Sequence, residues 1–272
     1  MLNASLIRRF YLDTQPNVPD CWRLSRKHFR VETSDGRFVK LNKHENRLSA
    51  RDLWFHCWKL APLHAYFSVL NWLFPERVGK KYKARYCTPL NGEYVIDIDS
   101  HIILWKHNHN PDWQWHICEP CLDLSKTLTL QVCQAVENYY SHLAIVFSGR
   151  AGFHVHVMDF DYHDWVPYSQ EDPVWCHEAS RFKLTKLLQV QTHVFDRDHF
   201  TLSCDTTRVV TVPNTLNGQT GLVCSYVGGR KDLEKLSVAE LLERSKPFSV
   251  LSYPEPHFEA VKTCAKNPAR AA

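Results

Sequence analysis

The 272 residues carry 33 basic and 29 acidic side chains, a net charge of +4 with sixteen histidines besides. That length suits one large domain or two closely packed subdomains. With 44% hydrophobic and 23% charged residues, the composition excludes a mainly disordered chain, and the mild basic excess permits a polyanionic partner without demanding one.

Met1 to Arg9 lacks the long apolar stretch of a secretory signal, so the chain is expected to be intracellular, in cytoplasm, nucleoid or nucleus, and not secreted. Residues 23–60 alternate charged and aromatic stretches, and Asp35-Gly36 predicts a hairpin turn between Phe29–Glu32 and Arg37–Leu41. Leu48 to Trp72 reads as helical, and the most apolar region, Leu53 to Phe74, as two amphipathic helices joined near Ala61-Pro62. His56, Lys59, Pro62, His64 and Asn71 interrupt that region, so it does not supply the roughly 20 apolar residues of a membrane span, and no membrane association is expected.

Beyond Asn91-Gly92, the run Glu93-Tyr-Val-Ile-Asp-Ile-Asp99 alternates like a strand. Leu124 to Tyr140 predicts the longest helix, starting near Ser125. His142–Phe147 and Phe153–Met158 predict strands around a glycine-containing turn, Arg181–Gln191 a helix, Arg208–Val212 a strand, and Leu236–Arg244 a helix capped by Ser237. The terminal residues from Lys266 are expected to fray. Interspersed strands and helices without regular βαβ repetition predict an α+β fold with mixed sheets flanked by helices.

Residues two apart on a strand share a face, so Asp97 and Asp99 project together. Paired carboxylates at a strand end can bind divalent cations through hard oxygen ligands; a solvated strand end is the commoner reason for Asp-x-Asp. After the strand at 142–147 comes Ser148-Gly-Arg-Ala-Gly-Phe-His154-Val-His156. Its glycines allow a tight turn, and Ser148, exposed N–H groups and Arg150 suit a phosphate chain. His154 and His156 share a strand face, so either could reach a ligand there.

A Val-Ile-Asp-Ile-Asp strand, Cys118-Glu-Pro-Cys121, a long helix and then Ser-Gly-Arg-x-Gly-x-His, in that order, resemble the small catalytic subunit of archaeal and eukaryotic primases and, more loosely, the primase-polymerase superfamily. The resemblance covers most of Glu93 to Leu222. It implies a primase-polymerase catalytic core with an RRM-like half and an inserted zinc knuckle. The whole chain then forms one domain: an N-terminal α/β module over about 1–92, a core over about 93–230, a knuckle over about 107–121 and a C-terminal helical segment over about 231–272.

By that resemblance Asp97 and Asp99 hold Mg2+ or Mn2+, and Ser148, Gly149, Arg150, Gly152 and His154 hold the triphosphate of an incoming nucleotide. The third carboxylate expected of the family falls at His199; Asp198 beside it is preferred, then Asp205, with Asp196 a further rival. Arg208 and Asn217 are nucleotide-binding candidates, although turn and strand chemistry explains them equally well. Ala151, Thr211 and Gln219 stand where relatives often carry basic residues.

The same resemblance places a structural Zn2+ on His109, His116, Cys118 and Cys121, with His107 as substitute for His109. Ten cysteines without a secretory pattern fit a reducing compartment.

The implied activity is a nucleotidyltransferase that builds RNA or DNA primers on a single-stranded DNA template from nucleoside triphosphates, with a large primase subunit or replication proteins as partners. The alternatives are a primase-polymerase of repair or mobile-element replication, and a catalytically weak nucleic-acid-binding subunit. Trp54, Tyr66 and Trp72 are stacking candidates that their apolar surroundings assign rather to the core. The basic run Lys80–Arg85 is a phosphate-contact candidate, more simply read as a solvated face.

Overall fold

The computed structural model describes residues 3–42, 47–78, 87–99, 118–150, 152–165, 173–191, 200–202 and 208–247. Two antiparallel sheets organise them. The first runs β10-β3-β1-β2 and the second β11-β7-β8-β6-β9, where β1 is Phe29–Glu32, β2 Phe38–Lys40, β3 His64–Ser68, β6 Tyr94–Asp99, β7 Leu143–Phe147, β8 Gly152–Val157, β9 Phe200–Leu202, β10 Val209–Thr211 and β11 Tyr226–Gly228. A short pair, β4 (Leu70–Trp72) and β5 (Pro89–Gly92), completes the strands described. The expected α+β fold is present; the sheets are antiparallel in every described pairing, not mixed.

Alternation along β6 and β8 gives the second sheet two different faces. Tyr94, Ile96, Ile98, Phe153, Val155 and Val157 enter one apolar cluster. That cluster also takes residues from helices α3 (Glu119–Val136), α4 (Pro173–Gln191), α5 (Arg230–Lys235) and α6 (Val238–Arg244). Val95, Ala144 and Val146 face the other way and join the core of the N-terminal sheet and of helices α1 (Ala4–Asp13) and α2 (Ala50–Leu60). Asp97 and His154 belong to this second face by parity, so they look toward the N-terminal sheet.

The hairpin at Asp35-Gly36 forms as expected. Arg30 pairs with Lys40 and Glu32 with Phe38, and Gly36 takes φ +76°. The α6 cap also forms: the Ser237 side chain accepts from the Glu240 N–H, and the Glu240 carboxylate accepts from the Ser237 N–H at 2.9 Å.

Three expectations need correction. Residues beyond Ala61 are not a second helix, because Ala61 closes α2 in a left-handed conformation (φ 46°) and the chain turns into β3 and β4. Both faces of β3 are largely buried between β1 and β10, so its apolar run lacks the alternation that marks a half-exposed strand. Helix α3 begins at Glu119, with Cys118 as its N-cap and Pro120 in its first turn, rather than near Ser125. It ends at Val136 rather than Tyr140, with residues 137–139 in a turn.

The N-terminal sheet takes β10 from residues 209–211. Chain far beyond residue 92 therefore completes the N-terminal module and ties it to the core. Among the described residues no helix is long and apolar enough to cross a membrane.

Candidate active site

A cleft of about 270 Å³ opens between the two sheets. Asp97, Ser148, Arg150, Gly152, His154, Arg208 and Asn217 all line it, so residues spread over 120 positions of sequence converge on one surface.

Asp97 sits at the centre of β6, opposite His154 of β8 and Thr201 of β9. Arg208 Nη2 donates to Asp97 Oδ2 at 2.6 Å, and His154 Nε2 lies 3.4 Å from Oδ1. The carboxylate keeps 25% of its side-chain surface exposed, so it is reachable from the cleft. Burial drives the His154 pKa down to about 4; Asp97 opposes this, while His156 and Arg208 reinforce it. His154 is therefore a neutral imidazole at pH 7, and its buried Nδ1 has no protein partner. Asp99 closes β6 opposite Gly152.

The Ser148–Gly152 turn is built by two mutual hydrogen bonds: Ser148 N donates to Gly152 O at 2.9 Å, and Gly152 N donates to Ser148 Oγ at 3.3 Å. Gly149 has φ +76°, and a Cβ there would meet Asn217 Cβ at 2.9 Å. The loop at 217–224 braces the turn from behind. Asn217 Nδ2 donates to Ser148 O at 3.4 Å, Thr220 Oγ1 to Gly149 O at 2.6 Å, and Cys224 Sγ to Ser148 O at 3.2 Å. Asn217 is 3% exposed, and its Oδ1 accepts from the N–H groups of Gln219 and Thr220. Its visible work is to shape this loop under the turn.

Arg150 Nη1 donates to Gln219 Oε1 at 3.2 Å. Gln219, which replaces an expected basic residue, thus orients the arginine of the turn. The N-terminal sheet adds Glu32, His64 and Tyr66 to the opposite wall. Tyr66 donates its hydroxyl to Glu32 Oε2 at 3.0 Å. Burial lowers the His64 pKa, with Glu32 and Gln219 opposing and Arg150 adding to the shift. Glu32 and His64 were not singled out in the sequence, and Tyr66 was assigned to the core, because 61–72 reads there as helix and nothing pairs it with the strand at 29–32.

His156 does not reach the cleft. It is fully buried, accepts from Trp22 Nε1 at 3.3 Å and stacks near Phe67. Behind it lies a buried ion pair, Lys27 Nζ to Glu93 Oε1 at 2.8 Å. Arg181 of α4 donates to the Glu93 carbonyl at 2.6 Å, fastening the start of β6 from the other side. Burial pushes the Glu93 carboxyl up, but Lys27 and His156 outweigh it and hold it below its ordinary value.

Trp54 and Trp72 are core residues, 4% and 0% exposed. Cys118 and Cys121 sit at the start of α3, and burial with the neighbouring Cys118 sulfur pushes the Cys121 thiol up to about 12. His107, His109, His116, Asp196, Asp198, Asp205, Ala151 and the Lys80–Arg85 run lie outside the described residues. Among the described residues no cluster of three or more His, Cys, Asp or Glu side chains could hold a metal ion; Asp97, from the expected carboxylate set, is partly exposed and contacts Arg208 and His154.

No protein-family model matches the chain. A stretch of 125 residues is 32% identical to the DNA primase small subunit PriS of Methanocaldococcus jannaschii, covering 42% of this chain and 33% of that protein. The matched stretch thus spans about a third of the length of the relative. The fold is similar to the polymerase domain of Mycobacterium tuberculosis Ligase D, solved in complex with DNA. The TM-score is 0.52 and the identity 14%, over 98% of this chain and 93% of that one. The chain is thus similar over part of its length to an archaeal primase small subunit, and in fold to a polymerase domain. Thr211 and Gln219 also line the cleft.

Proposed function

We propose that the chain is a template-dependent nucleotidyltransferase that synthesises RNA or DNA primers on single-stranded DNA. One observation carries this reading: Asp97, Ser148, Arg150, His154 and Arg208 meet in a single accessible cleft. An exposed carboxylate facing a phosphate-type turn suits phosphoryl transfer better than a purely structural cluster would.

In this mechanism Ser148, Arg150 and the N–H groups of the turn grip the triphosphate. Neutral His154 donates from a ring nitrogen to a phosphate oxygen while its ring stays packed on β8. Asp97 and Asp99, with Asp198 or Asp205, hold Mg2+ or Mn2+, which neutralises charge on the attacking and leaving oxygens when bound. The 3′-hydroxyl of one nucleotide attacks the α-phosphorus of the next, the bond to the β-phosphate oxygen breaks, and pyrophosphate leaves. Arg208, which lines the same cleft beside Asp97, would offer its guanidinium to a phosphate oxygen.

Residues 1–272 act as one catalytic domain in this reading, since β10 locks the N-terminal module to the core. A structural Zn2+ on His109, His116, Cys118 and Cys121 fits the adjacency of the two thiols at the head of α3. A large primase subunit or replication proteins are the proposed partners, in an intracellular setting. Extension of a supplied primer on single-stranded DNA, with labelled nucleotides and Mg2+ or Mn2+, tests the chemistry. Incorporation dependent on Asp97 supports it, and none with either cation or either nucleotide class counts against it.

A further inference from the structure

Helix α2 divides into two faces. Leu53, Trp54 and Cys57 are buried in the N-terminal core, while Arg51, Phe55, Trp58 and Lys59 point outward. Phe55 is 56% and Trp58 38% exposed, and their rings touch at 5.7 Å with a 34° tilt. Spacings of four, three and one residue place these side chains on one ridge about 12 Å long at 1.5 Å rise per residue.

The ridge is basic as well as aromatic. The single carboxylate on α2, Asp52, is bound into the N-terminal capping box with Ser49. Arg51 and Lys59 bracket the ring pair, so a polyanion with flat apolar faces fits its chemistry. The end of α2 is also anchored at the cleft. Just past it, Leu63 N donates to Glu32 O at 2.7 Å, and Leu63 O accepts from Gly218 N at 2.6 Å. Glu32, His64, Asn217 and Gln219 around that anchor all line the cleft, so the chain that leaves α2 runs directly into the cleft wall.

We propose that the Arg51–Phe55–Trp58–Lys59 ridge is a stacking platform that holds single-stranded nucleic acid beside the cleft. Bases stack on the exposed ring faces, and the two cations bind phosphates on either side. Such contacts tolerate any sequence, because every base has a π-face. The proposal rests on the polymerase reading for the identity of the polyanion, but not on catalysis.

Fluorescence anisotropy of a labelled single-stranded oligonucleotide with the full chain tests it, at several salt concentrations. Phe55→Ala/Trp58→Ala should weaken binding at least about 10-fold, and Phe55→Tyr/Trp58→Phe should restore most of it. Arg51→Ala/Lys59→Ala should flatten the salt dependence by about two phosphate contacts. Binding of a fluorescent nucleoside triphosphate should stay unchanged in all variants. All four side chains are exposed, so an unchanged melting temperature certifies the fold. Unaltered DNA affinity in both alanine pairs, or no DNA binding by the unmodified chain, overturns the proposal. So does self-association of the unmodified chain that Phe55→Ala/Trp58→Ala abolishes, since the ridge is then an interface between copies. Loss of the catalytic reading alone would leave ridge-dependent DNA binding intact while no nucleotide is incorporated.

Discussion

Arg208 Nη2 stands 2.6 Å from Asp97 Oδ2 and joins the start of edge strand β10 of the N-terminal sheet to β6 of the second sheet. The pair neutralises the carboxylate proposed to bind cations, so arginine and cation compete for the same oxygen. Removing the arginine should strengthen cation binding and weaken grip on the triphosphate. Arg208→Ala is therefore expected to bind Mn2+ more tightly and a nucleoside triphosphate more weakly, each by about 1.5–3 kcal/mol, the scale of a hydrogen bond to a charged group. Calorimetric titration of each ligand separately checks the opposite signs; equal weakening of both would contradict the competition.

Gly149→Ala should disturb the phosphate-type turn. The residue has φ +76°, and the new Cβ would meet Asn217 Cβ at 2.9 Å. The backbone penalty is roughly 1–3 kcal/mol, and relief requires moving the turn or the 217–224 loop. Lower thermal stability together with weaker triphosphate binding is expected. Thermal melts and nucleotide titration on the same preparation would show both.

The buried pair Lys27–Glu93 offers a stability test. Lys27→Met leaves the buried Glu93 carboxylate with His156 but without its cationic partner, which should cost up to roughly 3–5 kcal/mol. Lys27→Met/Glu93→Leu should recover much of that loss by removing the orphaned charge. Urea denaturation distinguishes the cases, and a double variant as unstable as the single one would argue against this assignment.

His28 and His177 predict a pH dependence. Burial lowers both pKa values to about 3, from an ordinary value near 6.5. The unfolded chain therefore binds more protons than the folded one between pH 6.5 and about 3, and stability falls as pH drops through that window. His177→Phe keeps a ring beside Tyr162, 4.0 Å away in the native protein, and should shallow the acid-side decline. Melting temperature against pH for both chains measures it.

Much of the site was legible from sequence because its parts are local. Period-two spacing put Asp97 on a strand, and Ser148 to His154 formed one contiguous motif. The opposite wall was not legible. Glu32, His64 and Tyr66 reach the cleft only through pairing of β3 with β1, and that pairing buries both faces of β3 and erases the alternation. The role of His156 was equally hidden, since same-face parity with His154 does not show that Trp22 and Glu93 occupy its surroundings. The start of α3 was misplaced because the apolar helical spacing begins only near Leu124, whereas Pro120 suits a first helical turn.

De novo synthesis on single-stranded DNA tests the central claim most directly. The unmodified chain and Asp97→Ala/Asp99→Ala would each receive labelled ribo- or deoxyribonucleotides with Mg2+ or Mn2+. The account predicts short products from the unmodified chain and none from the double variant. Equal products from both would contradict the role of the carboxylate strand, and absence of product from the unmodified chain under every condition would contradict primer synthesis by this chain.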